Sequence, residues 1–97
     1  MITILKSPQY ERDLAEIWAH IANDSVESAD RAITAIEETI ELVAEFPGIG
    51  SPCPHLADGL RRTMWREYLI YYRAREDVIE IVRALHGRRN IVPRHFK

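Results

Sequence analysis

Cysteine is nearly missing from this sequence: Cys53 stands alone. One thiol excludes an internal disulfide and a multi-cysteine metal centre, and it fits a reducing, cytoplasmic home. Lysine is almost as scarce. Lys6 and Lys97 lie at the two ends, so cationic chemistry in the middle of the chain falls to arginine. No apolar run reaches the roughly 18 residues of a membrane-spanning helix, so no membrane partner is expected. The opening MITILKSPQYERDLAEI has no basic leader and no small-residue cleavage site, which argues against a signal peptide. His20 and His55 are isolated, and no HxxxH-type spacing occurs, so neither a metal nor another cofactor is expected.

What the chain does hold is an ordinary globular composition: 97 residues, 46% apolar and 29% charged. That predicts one domain over residues 1–97 and argues against disorder. The net charge of −2 conceals a division. Residues 1–58 carry 3 Lys/Arg against 11 Asp/Glu, a net of −8, while residues 59–97 carry 10 against 4, a net of +6. Such asymmetry either marks a surface for an acidic partner or is neutralised across the fold.

The periodicities predict an α+β fold. ITILK reads as a first strand. Ser7-Pro8 opens a helix, with Ser7 as N-cap and Tyr10, Leu14, Ile17, Trp18 and Ile21 as its apolar stripe. Asp24 with Glu27 resembles a capping box for a second helix of about twenty residues, carrying Ala29, Ile33, Ile36, Ile40 and Val43 towards Phe46. The short link predicts an antiparallel αα-hairpin. FPGIGSPCPHLADG is loop, with three of the four glycines and three of the five prolines. LRRTM, Tyr68–Arg73 and Val78–Leu85 then predict a three-stranded antiparallel meander, turning at Ala74–Asp77. Alternation in the last strand places Ile79, Ile81, Arg83 and Leu85 under the helices, with Glu80 among the residues of an open opposite face.

In this order, ERDLAEIWAHIA, AEFPGIGSP, GLRR, YLIYYR and VIEIVRALHGRRN resemble successive segments of the RelE/ParE superfamily of bacterial toxins, and more narrowly of ParE. No single piece is specific; the order and spacing over the whole chain are. The resemblance implies helices packed on one face of a small sheet and no cofactor. It also implies a ParD-like antitoxin whose C-terminal segment wraps the toxin in a higher-order hetero-oligomer. For ParE-like members it implies DNA gyrase as target, poisoned without bond-making. For RelE-like members it implies metal-independent cleavage of mRNA on the ribosome. A third possibility is a degenerate member that only binds its antitoxin.

Metal-free RNA cleavage needs a base, cations around the phosphate and an acid for the leaving oxygen. Arg89 matches the arginine that follows the glycine in the RelE pattern, and His95 falls where its tail tyrosine stands. Tyr68 occupies the place of an arginine. Arg61, Arg89 and His95 are therefore the ribonuclease candidates, an incomplete set. For the gyrase reading the candidates are Arg88, Arg89, Ile91, Val92, Arg94, His95 and Phe96, because a frayed terminus seldom carries two branched aliphatics and a phenylalanine. Arg83, on an apolar strand face, is either a phosphate ligand or the partner of Asp13 or Glu16 in a structural ion pair. His86, at a strand end before Gly87, reads as hydrogen-bonded structure, and Cys53, between two prolines, as an inert thiol. Trp65, Tyr68, Tyr71 and Tyr72 read as packing aromatics that could also stack bases.

Overall fold

The computed structural model describes residues 1–97. The elements run β1 (Thr3–Lys6), α1 (Pro8–Ala22), α2 (Val26–Glu45), β2 (Ser51–Pro52), β3 (Leu60–Trp65), β4 (Tyr68–Arg75) and β5 (Val78–His86), then a 3₁₀ turn over Pro93–Phe96. The five strands form one sheet in the order β1-β5-β4-β3-β2. Strands β2 to β5 pair antiparallel, and β1 returns parallel to β5. The fold is α+β, with both helices on one face of the sheet. No helix is long and apolar enough to cross a membrane.

Ser7 starts α1 and also ties it to the sheet. Its hydroxyl accepts from the Tyr10 amide at 3.0 Å and donates to the Val82 carbonyl at 2.7 Å. One side chain thus satisfies an orphan donor of the helix and an edge acceptor of β5, where β1 has ended. The second helix begins one residue later than the sequence predicts. Ser25, not Asp24, is its N-cap, accepting from the Ser28 amide at 3.1 Å. Glu27 then occupies the second helical position and cannot close a capping box. Trp18 leaves the predicted apolar stripe: its indole N–H donates to Asp30 at 2.8 Å, bridging the two helices at their exposed rim.

The helix-facing core joins Tyr10, Ile17, Ile36, Ile40 and Val43 to Tyr68, Ile70, Tyr72, Ile79, Ile81 and Ala84. Alternation along β5 does not persist as predicted, because a bulge interrupts the pairing: Tyr71 faces Arg83, while Tyr72 faces Ile81. Val82, the extra residue, keeps its predicted place on the opposite face, and beyond it Leu85 turns to that face and Ala84 to the helices. Nor is that opposite face open. Cys53, Leu60, Leu69, Tyr71, Val82, Leu85 and Phe96 form a second buried cluster, roofed by the Pro/Gly loop and the C-terminal tail. A β-strand with apolar residues on both faces demands cover on both. Phe46, by contrast, ends α2 exposed.

The β-turns are tighter than the sequence suggests. Glu76 and Asp77 alone join β4 to β5, and Arg66 and Glu67 join β3 to β4. Arg66 and Glu76 take positive φ, 53° and 44°, the left-handed region a two-residue hairpin requires. Gly50 is held by proximity: a Cβ there would meet the Tyr72 hydroxyl at 2.6 Å.

Candidate target-binding surface

The C-terminal third is organised around Arg83. Its Nε donates to Asp13 Oδ2 and its Nη2 to Asp13 Oδ1, both at 2.8 Å, a bidentate pair between sheet and first helix. Asp13 Oδ2 also accepts from the Ala84 amide at 3.0 Å, so the carboxylate caps the bare edge of β5. Glu16 makes no contact of this kind with Arg83. Its hydrogen bonds to the Asp13 carboxylate raise the arginine's pKa further, against the opposing effect of burial. Through Nη1, Arg83 donates to the His95 carbonyl at 3.1 Å and so tethers the tail.

That tether seats the tail against its own sheet. Phe96, a predicted target contact, is buried, its ring 4.7 Å from that of Tyr71. The reason is the second cluster: Tyr71, Val82 and Leu85 present an apolar hollow that Phe96 fills. Ile91 packs beside it, and Ile91 and Val92 are half-buried. Arg88, Arg89, Arg94 and Lys97 stay exposed around this plug.

The three ribonuclease candidates sit in three settings. Arg61 is spent on the loop after α2, its Nη2 donating to the Gly50 carbonyl at 2.6 Å and the Gly48 carbonyl at 3.2 Å. His95 is turned back on the tail, its Nδ1 lying 3.0 Å from the Val92 amide. The same nitrogen lies 3.1 Å from the Val92 carbonyl, so either tautomer engages the Val92 backbone. Arg89 lines a cleft of about 170 Å³ with Asp13, Glu16, Ile17, His20, Tyr68 and His86. Neither Arg61 nor His95 reaches that cleft, and no three His, Cys, Asp or Glu side chains cluster to hold a metal. Burial, with Glu67 adding to it, raises the pKa of the Tyr68 phenol. A phenol so held is a poor base. His86 Nδ1 accepts from the Arg88 amide at 3.0 Å, a strand-end turn. Glu80 carries an ion pair to Arg73 at 3.4 Å.

Direct pairing does not cancel the two charged halves. Lys6–Glu37 lies within the acidic half and Arg73–Glu80 within the basic one; only Asp13–Arg83 joins them. Arg62, Arg66, Arg75, Arg88, Arg89, Arg94 and Lys97 are all exposed. Seven exposed cations give the last third an uncompensated positive charge suited to anionic partners.

Sequence reasoning missed the cleft, because His20 and His86 are far apart in the chain and meet only across α1 and β5. It also missed the network around Tyr72, whose hydroxyl donates to Pro47 at 2.8 Å and accepts from the Gly50 amide at 2.9 Å. The PGIG stretch was its one visible sign.

Comparison with known proteins agrees with this architecture. The model of a family described as the ParE toxin of the type II toxin–antitoxin system parDE matches residues 4–91. A Caulobacter vibrioides protein named Toxin ParE1 is 35% identical over 85 residues, covering 87% of this chain and 88% of that one. A Mycobacterium tuberculosis protein of the same name is 29% identical over 89 residues, covering 90% and 91%. Among solved structures, a chain of the chromosomal ParDE system from P. aeruginosa superposes with a TM-score of 0.75 at 20% identity, covering 89% of this chain and 96% of its own. The family match ends at Ile91, so the tethered turn that carries Phe96 lies beyond it.

Proposed function

This chain belongs to the ParE toxin family of type II toxin–antitoxin systems, and from that premise we propose that it arrests growth by binding DNA gyrase and trapping the gyrase DNA-cleavage complex, without bond-making of its own. The observation that carries the reading is the dispersal of the candidate catalytic groups. Arg61 is committed to two backbone carbonyls, His95 to the Val92 amide, and Arg89 to a different cleft. A phosphate cannot be met at once by a base, an acid and a cationic cradle that are held apart. The exposed arginines of the last third would instead grip an anionic surface, in gyrase, its DNA or both.

A ParD-like antitoxin is the neutralising partner under this reading. The chromosomal P. aeruginosa system pairs ParD with ParE by its name, and its ParE-like fold is shared here. A disordered acidic-apolar segment would fold on the +6 half, covering charge and apolar surface together.

The purified chain should abolish supercoiling by gyrase and leave ribosome-bound mRNA intact. Normal supercoiling at saturating protein would refute the proposal. Cleavage of mRNA in the ribosomal A site, lost on Arg89→Ala or His95→Ala, would replace it with the ribonuclease mechanism.

A further inference from the structure

The end of α2 breaks three local rules in one place. Leu42, Phe46 and Ile49 are large apolar side chains left 44%, 55% and 49% exposed. Scattered exposed apolar residues need no explanation, but these are consecutive: the Phe46 amide donates to Leu42 and the Ile49 amide to Phe46, so two adjoining turns carry all three. Around them stand Glu38, Glu41 and Glu45, exposed, and the last turn of the helix holds no basic residue. Of these, Glu41 and Glu45 lie at the negative end of the helix dipole, the arrangement stability disfavours.

The loop beneath cannot fold these side chains away. Tyr72 bonds Pro47 and Gly50, and Arg61 bonds Gly48 and Gly50, so four hydrogen bonds pin residues 47–50. Ordering that most partners must supply on binding is already in place. Apolar anchors on a rigid support inside an acidic rim fit one kind of occupant.

We propose that this end of α2 docks a cationic amphipathic segment of a partner protein, apolar anchors against Leu42, Phe46 and Ile49 and Lys or Arg against the three glutamates. A second copy of this chain does not match. Its cationic half exposes one large apolar side chain, Met64, against the three to be covered. The site uses other residues than the tail surface and stands whether or not gyrase is the target.

The test titrates a labelled Leu/Lys amphipathic helix of about 18 residues, five turns, onto the full chain, beside a Leu/Glu peptide of identical pattern. The expected result is saturable, salt-weakened binding of the Leu/Lys peptide alone. Leu42→Ser/Phe46→Ser should weaken it by roughly tenfold or more, as loss of central anchors does. Glu38→Gln/Glu41→Gln/Glu45→Gln should flatten its salt dependence. All five positions are exposed, so unchanged circular dichroism would certify the fold. No binding, equal binding of both peptides, or binding indifferent to Leu42 and Phe46 would overturn the proposal. So would self-association in sedimentation that Phe46→Ser abolishes, which would make a second copy the occupant.

Discussion

Tyr10 and Tyr72 are both fully buried, yet their hydroxyls meet different surroundings. The Tyr10 oxygen has no hydrogen-bond partner, whereas that of Tyr72 makes two. A satisfied hydrogen bond contributes about 0.5–1.5 kcal/mol net, whereas a buried polar group left without a partner costs roughly 1–3 kcal/mol. Tyr10→Phe should therefore hold or raise the denaturation midpoint, and Tyr72→Phe should lower stability by about 1–3 kcal/mol. Equal losses in urea titrations of the two variants would contradict this. Burial, then the negative charges of Glu37, Glu11 and Asp13, raises the pKa of Tyr10. Burial also raises Tyr71, outweighing the Arg62 hydrogen bond that lowers it, and Tyr68 rises as described. Above the ordinary tyrosine value of 10.0 the unfolded chain loses protons that the native state keeps, so stability falls as pH rises. The midpoint should be unaffected by these groups below that pH and drop steadily above it; a flat alkaline profile would argue against their burial. At Asp13 the carboxylate satisfies Arg83 and the Ala84 amide at once. Asp13→Ala should cost about 3–5 kcal/mol, the scale of a broken buried pair. Asp13→Asn should cost less, because its oxygen still accepts from the amide. A loss in Asp13→Ala no larger than in Asp24→Ala would sink the assignment. The arginine's need for an acid was legible in the sequence; the choice of Asp13 over Glu16 depended on which of them reaches the β5 edge.

Elements were legible where a local signal stands alone. Ser7-Pro8, the apolar periods of both helices and the YLIYYR and VIEIVRAL strands each declare themselves within a few residues. What stayed hidden is long-range. Nothing in ITILK says that it pairs with β5, more than seventy residues away, and the Val82 bulge is a property of two strands together. The tail was half legible: Ile91, Val92 and Phe96 demand burial, but the sequence does not say whether in a partner or at home. The structure puts Phe96 at home, on Tyr71. Phe96→Ala should cost about 3 kcal/mol, at the low end for buried aromatics because a chain end can settle inward. It should also speed exchange of the Arg83-tethered tail amides. Unchanged stability and exchange would mean that the plug is not seated in solution.

Across the whole molecule, charge is segregated, with an acidic helical layer and a basic last third joined by one ion pair. Composition exposed that division at once, though only the ion-pair geometry decided between segregation and neutralisation. The cluster of Leu42, Phe46 and Ile49 was not foreseen, because its exposure depends on how Tyr72 and Arg61 hold the loop. Toxin family membership was readable from the ordered segments, while the separation of Arg61, Arg89 and His95 needed side-chain positions. Antitoxin binding driven by the basic third should lose affinity as salt screens it. The most direct test of a gripping, non-cutting toxin incubates the chain with gyrase and supercoiled plasmid, then denatures the enzyme with detergent. Linear DNA covalently joined to gyrase should accumulate with the wild-type chain and diminish with Arg88→Ala/Arg89→Ala/Arg94→Ala. Plasmid that stays supercoiled and uncut, with gyrase running normally at saturating chain, would contradict the account.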